Sequence, residues 1–260
     1  MIVLLLLAGL MLAAAVICFF AADQRVISYL QNHPETWHKN FWPQALKELG
    51  RGYALIWLLL AWVVFTKRHK TVIICLLSML ITLAAVTVIK ETIRRPRPRD
   101  VVKVQVNNEP GKNNFRSWSF PSGDTASVFA VGAVLALAIP WPATIVFAAC
   151  CCSVGILRVV VLAHYPSDVC GGAAVGILSG WLAILIRNRY PKIDNIFKGK
   201  ERILSLAGFI LIPILIWFSK DIDNFVIFLK FYVPSGLIIG IAGALWTTVE
   251  EKASSENDLH

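Results

Sequence analysis

The sequence predicts an all-α, polytopic membrane helical bundle, a six-helix core with two additional C-terminal transmembrane helices. Three observations predict it. Apolar residues make up 57% of the 260, against about 45–50% in soluble domains, and mean hydropathy is +0.66. Apolar runs recur along the whole chain, several of them long enough to cross roughly 30 Å of hydrocarbon. Charged residues, 16% of the total, fall mostly in the short stretches between those runs, where water and headgroups can solvate them.

Taken in order, the spanning windows are 2–22, 71–90, 143–163 and 169–187, and shorter or broken windows at 52–66, 123–140, 203–219 and 225–248 complete the set. The first begins apolar at once, without the basic n-region of a signal peptide, so it reads as a transmembrane helix. Segment 23–51 is polar but carries Trp37, Phe41 and Trp42; an aromatic belt at the interface explains it better than substrate contact. Lys67-Arg68-His69-Lys70 and Pro140-Trp141-Pro142 are turns too tight for a soluble insertion. The chain therefore divides into a transmembrane domain over 1–190, a hairpin over 191–248 and a cytoplasmic tail over 249–260.

Basic residues in short loops set the orientation. Lys67, Arg68 and Lys70 mark one side, and Arg187, Arg189, Lys192, Lys198, Lys200 and Arg202 mark the same side four spans later, which makes that side and both termini cytoplasmic. Segment 90–116 is equally basic yet falls on the opposite face. A loop that breaks the positive-inside pattern has another task, and phosphate binding is one. The formal charge of +9 thus belongs to topology and phosphate chemistry, and nucleic acid is excluded as a partner. The six cysteines lie in or beside apolar runs, with no C-x-x-C pair near a His cluster, and read as packing residues.

Three pieces of sequence carry chemistry, each at the edge of a span. Lys90 ends an apolar run and is followed by Arg94, Arg95, Arg97 and Arg99, interrupted by Pro96 and Pro98. The prolines stop the helix and stiffen the backbone, presenting guanidiniums that grip a phosphoryl group through paired hydrogen bonds. A basic stretch that neutralises anionic headgroups would look the same. Phe120-Pro121-Ser122-Gly123-Asp124 reads as a helix start capped by Ser122, whose first-turn amides face an anion, with Gly123 permitting close approach. The third piece runs from Arg158 through His164 to Asp168. Arg158 is expensive in an apolar run unless it meets an anion, and Pro166 places Asp168 in the first turn of the next helix, near His164. A carboxylate on one ring nitrogen fixes the tautomer and leaves the other free to attack; a structural pair tying two helix ends fits those residues equally well.

Together, Lys-x6-Arg-Pro (Lys90, Arg97, Pro98), Pro-Ser-Gly (121–123) and Arg-x5-His-x3-Asp (Arg158, His164, Asp168) resemble the three-part signature of the type 2 phosphatidic acid phosphatases, a family (PAP2) that also includes lipid pyrophosphatases such as the undecaprenyl-diphosphatases. The resemblance covers about 90 to 187. It implies that Lys90, Arg97 and Arg158 bind phosphate oxygens, that Ser122 and Gly123 add hydrogen bonds, that His164 is the nucleophile forming a phosphohistidine, and that Asp168 orients it. It also implies no metal and no cofactor. The partners it implies are the bilayer and an anionic phospholipid or polyprenyl (di)phosphate, handled at the extracytoplasmic face of a bacterial inner membrane, with Phe115, Trp118 and Phe120 candidates for the entrance.

Two positions depart from the family pattern. Leu157 stands where a Ser usually precedes the Arg. Asp124 stands where a His usually follows Pro-Ser-Gly and protonates the leaving oxygen, so Asp124 becomes the third candidate catalytic residue. A carboxylate beside several cations is a poor acid at neutral pH. Either the leaving group needs little protonation, which favours a polyprenyl diphosphate over a phosphate monoester, or turnover is impaired and the chain binds or carries lipid phosphates. A phosphotransferase with a lipid acceptor, and a phosphatidic acid or phosphatidylglycerophosphate phosphatase, remain alternatives.

Overall fold

The structure is a computed structural model that describes residues 1–33, 39–66, 69–101, 117–195 and 236. Among the described residues there is no strand, and the all-helical expectation holds. The helices are α1 (Ile2–Ala21), α2 (Asp23–Asn32), α3 (Phe41–Leu49), α4 (Gly52–Thr66), α5 (His69–Ile93), α6 (Gly123–Leu135), α7 (Trp141–Val160) and α8 (Pro166–Arg189). The helices that begin or run through α1, α5, α7 and α8 are long and apolar enough to cross a membrane, and α4 and α6 contribute shorter apolar helices. The expected windows 203–219 and 225–248 lie outside the described residues.

Two compact units divide the chain, Met1–Gly52 with Ile74–Arg189, and Tyr53–Ile73 with Tyr190–His260. In the second, the Gly236 backbone lies against the ring of Trp57. All candidate site residues belong to the first.

Helix α8 is the axis of that first unit, and its composition explains why. Gly171, Gly172, Ala173, Ala174, Gly176, Gly180 and Ala183 are all buried, and α6 and α1 make the most extensive contacts with it. In lipid no hydrophobic driving force separates helix from solvent, so small residues that let backbones approach supply the packing. Leu4 and Ala8 of α1 meet Ala133 of α6 and Ile177 of α8 in one buried cluster, whereas Leu6, Leu10 and Phe20 on the other side of α1 stay exposed for lipid.

Closest approach falls at Gly176, where an added Cβ would collide with the carbonyl oxygen of Ala126 and stand 2.9 Å from the amide nitrogen of Ala130. Both are backbone atoms of α6 and cannot rotate away. Gly176→Ala is therefore expected to lower stability by about 1–3 kcal/mol, read as a drop in the thermal unfolding midpoint of detergent-purified protein. An unchanged midpoint would show that α6 and α8 are not held this tightly.

Candidate active site

The C-terminal ends of α1, α5 and α7 and the N-terminal ends of α6 and α8 meet at one end of the first unit, and local sequence shapes each end. Leaving α5, Arg94 adopts φ 51° and turns the chain into the Arg95–Arg99 segment. Leaving α7, Leu162 adopts φ 52°, so that the amides of Ala163 and His164 both return to the Arg158 carbonyl at 3.1 and 3.2 Å. That reversal places the imidazole beside the last turn of α7, where Arg158 stands. The Arg99 amide then donates to the Leu162 carbonyl at 3.0 Å and ties the two loops together.

Helix α8 starts with Pro166 at its first position, and Asp168 reaches back to accept the Tyr165 amide at 2.8 Å. This is half of a capping box, with the acidic side chain in the first turn satisfying the amide before the helix. The same carboxylate accepts a short hydrogen bond from the Ser119 hydroxyl and a charged one from Arg95 at 2.8 Å. Its Oδ2 lies 3.7 Å from His164 Nδ1, within ion-pair reach but longer than a hydrogen bond. His164 is 2% exposed, and among the described residues its Nδ1 has no hydrogen-bond partner. Burial pushes its pKa below the ordinary histidine value, Asp168 pulls it back up, and Arg97 and Lys90 push it down again. Neutral imidazole, the nucleophilic form, is thus the one favoured at neutral pH.

Helix α6 starts as the sequence predicts. Ser122 is its N-cap, its hydroxyl accepting the Thr125 amide at 3.4 Å and lying 2.9 Å from the Thr125 hydroxyl, while its own amide donates to the Asp168 carbonyl at 2.9 Å. The buried Ser122 side chain is therefore engaged by the helix start itself. What remains for an anion is the backbone of that first turn at Gly123 and Asp124, whose amides have no acceptor within the helix.

Of the three expected phosphate-binding cations, Lys90 is in electrostatic range of Arg97, Asp124 and Asp168, and Arg97 of Asp124 and Arg158. The structure thus brings Lys90, Arg97, Arg158, Asp124, His164 and Asp168 to one place. The Nε atoms of Arg97 and Arg158 are buried and, among the described residues, make no hydrogen bond, which is costly unless an anion completes them.

Asp124, the candidate at the family's general-acid position, is ion-paired. Its Oδ2 lies 2.6 Å from Arg158, so a carboxylate pairs with one of the candidate phosphate-binding guanidiniums. Arg158 also donates to the Lys47 carbonyl at 3.0 Å. Packing supports the placement, because Gly50 fits so closely that a Cβ there would stand 2.7 Å from Asp124 Cβ.

Sequence reasoning missed residues here. Segment 23–51, read as an interfacial belt, supplies the Lys47 carbonyl and Asp23. Asp23 is 1% exposed and accepts the Ser167 amide at 2.9 Å, the Ser167 hydroxyl at 2.5 Å and Arg95 at 2.7 Å. Arg95, read with its neighbours as a guanidinium presented at the bilayer edge, is turned inward. Its guanidinium lies over the Tyr165 ring at 3.7 Å and the Phe19 ring at 5.1 Å and bonds Ser167 at 2.7 Å as well as both carboxylates. Phe120 packs against the Gly171 backbone of α8, and Phe115 lies outside the described residues. An acidic residue directly after a transmembrane run is the signal that could have found Asp23.

Residues 71–192 match the PAP2 superfamily. Over 80 residues the chain is 42% identical to a lipid A 1-phosphatase of Rhizobium etli, covering 31% of this chain and 33% of that protein. Over the same length it is 40% identical to a lipid A 1-phosphatase of Rhizobium johnstonii, covering 31% of each. The chain spans about a third of the length of these curated relatives. Among solved structures, Aquifex aeolicus LpxE superposes with a TM-score of 0.52 at 25% identity, over 64% of this chain and 96% of that one. A transmembrane PAP2-type phosphatidylglycerolphosphate phosphatase from Bacillus subtilis shares the fold with the same TM-score at 22% identity, over 73% and 96%.

Proposed function

Because residues 71–192 match the PAP2 superfamily, we propose that this chain is an integral membrane phosphatase that removes a phosphate group from a lipid, without a metal, through a phosphohistidine. The observation that carries the proposal is the meeting of Lys90, Arg97 and Arg158 with the α6 start and the buried His164–Asp168 pair. Phosphoryl transfer asks little of a protein beyond positioning and charge stabilisation, and these groups supply both.

In this mechanism the lipid phosphate enters with its oxygens toward Lys90, Arg97, Arg158 and the first-turn amides of Gly123 and Asp124. His164 Nε2 attacks phosphorus as its Nδ1 faces Asp168. The bond from phosphorus to the lipid oxygen breaks, the lipid leaves with both bonding electrons and takes up a proton, and Asp168 balances the charge on the phosphorylated ring. Water then attacks phosphorus, the P–N bond breaks, inorganic phosphate departs and His164 returns neutral.

Substrate choice follows from Asp124. With its carboxylate on Arg158, the leaving oxygen departs with little help from an acid, so substrates with weakly basic leaving groups are favoured. A polyprenyl diphosphate fits, since its leaving group is a phosphate ester. So does a lipid A 1-phosphate, the substrate in the name of the Rhizobium relatives, whose leaving oxygen is on an anomeric carbon. The site then faces the periplasm from the inner membrane, as the loop charges favour.

Full-length protein in detergent, given a panel of lipid mono- and diphosphates with chelator present, tests this directly. Release of inorganic phosphate is expected, faster from diphosphates and anomeric phosphates than from phosphatidic acid or phosphatidylglycerophosphate. The reverse order removes the leaving-group argument. Lipid phosphorylated at a new position, seen by mass spectrometry, would assign a phosphotransferase. No release from any member would leave a lipid-phosphate binding protein.

A further inference from the structure

We propose that Asp23 and Arg95 are positioning residues for His164, acting through Asp168 as a chain of alternating charges from Asp23 to Arg95 to Asp168 to the imidazole. The proposal rests on the reading of His164 as nucleophile.

The geometry is that of a relay built to hold one carboxylate still. Arg95 spans two acids with different nitrogens, NH2 at 2.7 Å from Asp23 Oδ2 and NH1 at 2.8 Å from Asp168 Oδ1. Its guanidinium carbon also lies over the Tyr165 ring and within reach of the Phe19 ring. Ser167 closes the loop, bonded by hydroxyl and amide to Asp23 and receiving Arg95 NH1 at 2.7 Å. With Oδ1 of Asp168 taken by Arg95, and Ser119 and the Tyr165 amide on Oδ2, the carboxylate has one orientation, and in it Oδ2 faces His164 Nδ1. A planar guanidinium held at both ends is suited to this and an ammonium is not.

The charges matter as much as the bonds. Arg95 alone would take charge from Asp168 and weaken its support of a ring that becomes positive on phosphorylation. Asp23 offsets Arg95, so that Asp168 keeps its effect. The other charged groups near the ring are Lys90 and Arg97 beyond it, Arg158 from α7 and Asp124 from α6, the last two paired with each other. None of these is altered when Asp23 or Arg95 is changed, so the direction of response is fixed by sign. Asp23→Asn leaves Arg95 uncompensated and disfavours the protonated ring. Arg95→Gln leaves the Asp168 carboxylate without its guanidinium partner and favours it.

The experiment follows the protonation midpoint of His164 by NMR in full-length protein carrying 13C-labelled histidine, with the signal assigned by loss in His164→Gln. The midpoint is expected to fall by about half a pH unit or more in Asp23→Asn and to rise by about as much in Arg95→Gln; each variant decides its own sign, so one folded variant suffices. Where the wild type turns over a lipid phosphate, kcat is expected to fall about tenfold or more in Asp23→Asn with KM within about threefold. A midpoint that stays put, or moves the opposite way, overturns the proposal and leaves Asp23 as a structural tie between helices. A wild type that releases no phosphate removes the proposed function instead, and the midpoint still judges the positioning.

Discussion

His164→Ala is expected to lower phosphate release by roughly 10^4-fold or more while leaving phosphate binding nearly intact. Loss of a covalent nucleophile has effects of that order, because the remaining site can bind the substrate but has nothing to transfer it to. The separation of the two effects comes from the structure. His164 meets the site from the loop between α7 and α8, whereas Lys90, Arg97 and Arg158 come from α5, the segment after it and α7. Removing the imidazole leaves those cations and the α6 start in place. Competition by vanadate or inorganic phosphate against a labelled lipid phosphate should therefore change by no more than a few-fold. Release that survives the substitution would remove His164 as nucleophile, and loss of binding together with turnover would mean that the ring is chiefly a packing element.

Arg158 and Asp124 should respond in opposite directions. Arg158→Ala is expected to reduce kcat/KM by roughly 10^2–10^3-fold, the usual consequence of removing a charged donor aimed at a phosphoryl oxygen. Asp124→Asn is expected to tighten the inhibition constant of inorganic phosphate by about five- to tenfold. The reason is competition within the protein. The Asp124 carboxylate holds Arg158 at 2.6 Å and competes with a phosphate for that guanidinium. Arg158 is nearly buried while Asp124 is one third exposed, so the carboxylate is the member able to swing away and exchange with an anion. Inhibition constants measured in both variants at fixed salt test the pair. Weaker phosphate binding in Asp124→Asn would instead make Asp124 a holder of Arg158 in its productive position.

Much of the fold was legible because bilayer thickness is a strong constraint. The windows predicted at 2–22, 71–90, 143–163 and 169–187 appear as α1, α5, α7 and α8 within a few residues. Helices α2 and α3 were not foreseen, since short amphipathic helices leave no long apolar run. Within the site, the residues at signature spacings were found by chemistry and spacing together. Ser122 was recognised as a cap because capping is local, and local rules can be read locally. The role of Arg95 is hidden from the sequence for the opposite reason. Flanked by Arg94, Arg97 and Arg99, it looks like one more loop cation, and only the arrival of Asp23 and Asp168 from distant parts of the chain distinguishes it. Asp124 shows the same limit. Its departure from the family pattern was visible, but its contact with Arg158 depends on how α6 and α7 lie together.

The separations inside the Asp23 cluster bear on how the protein is made. Asp23 stands 72 residues before Arg95 and 144 before Ser167, so during synthesis it leaves the ribosome long before either partner exists. An unpaired acid in the middle of a span would resist insertion. At the junction of α1 and α2, it can wait among headgroups and water while later segments are delivered. Ser167 and Asp168 come with α8, so the bonds that tie Asp23 and Arg95 to them form only when α8 packs into the bundle. Assembly is in that sense its own proofreading step, since a bundle that has not closed on α8 lacks the Arg95–Asp168 pair and the carboxylate that faces His164.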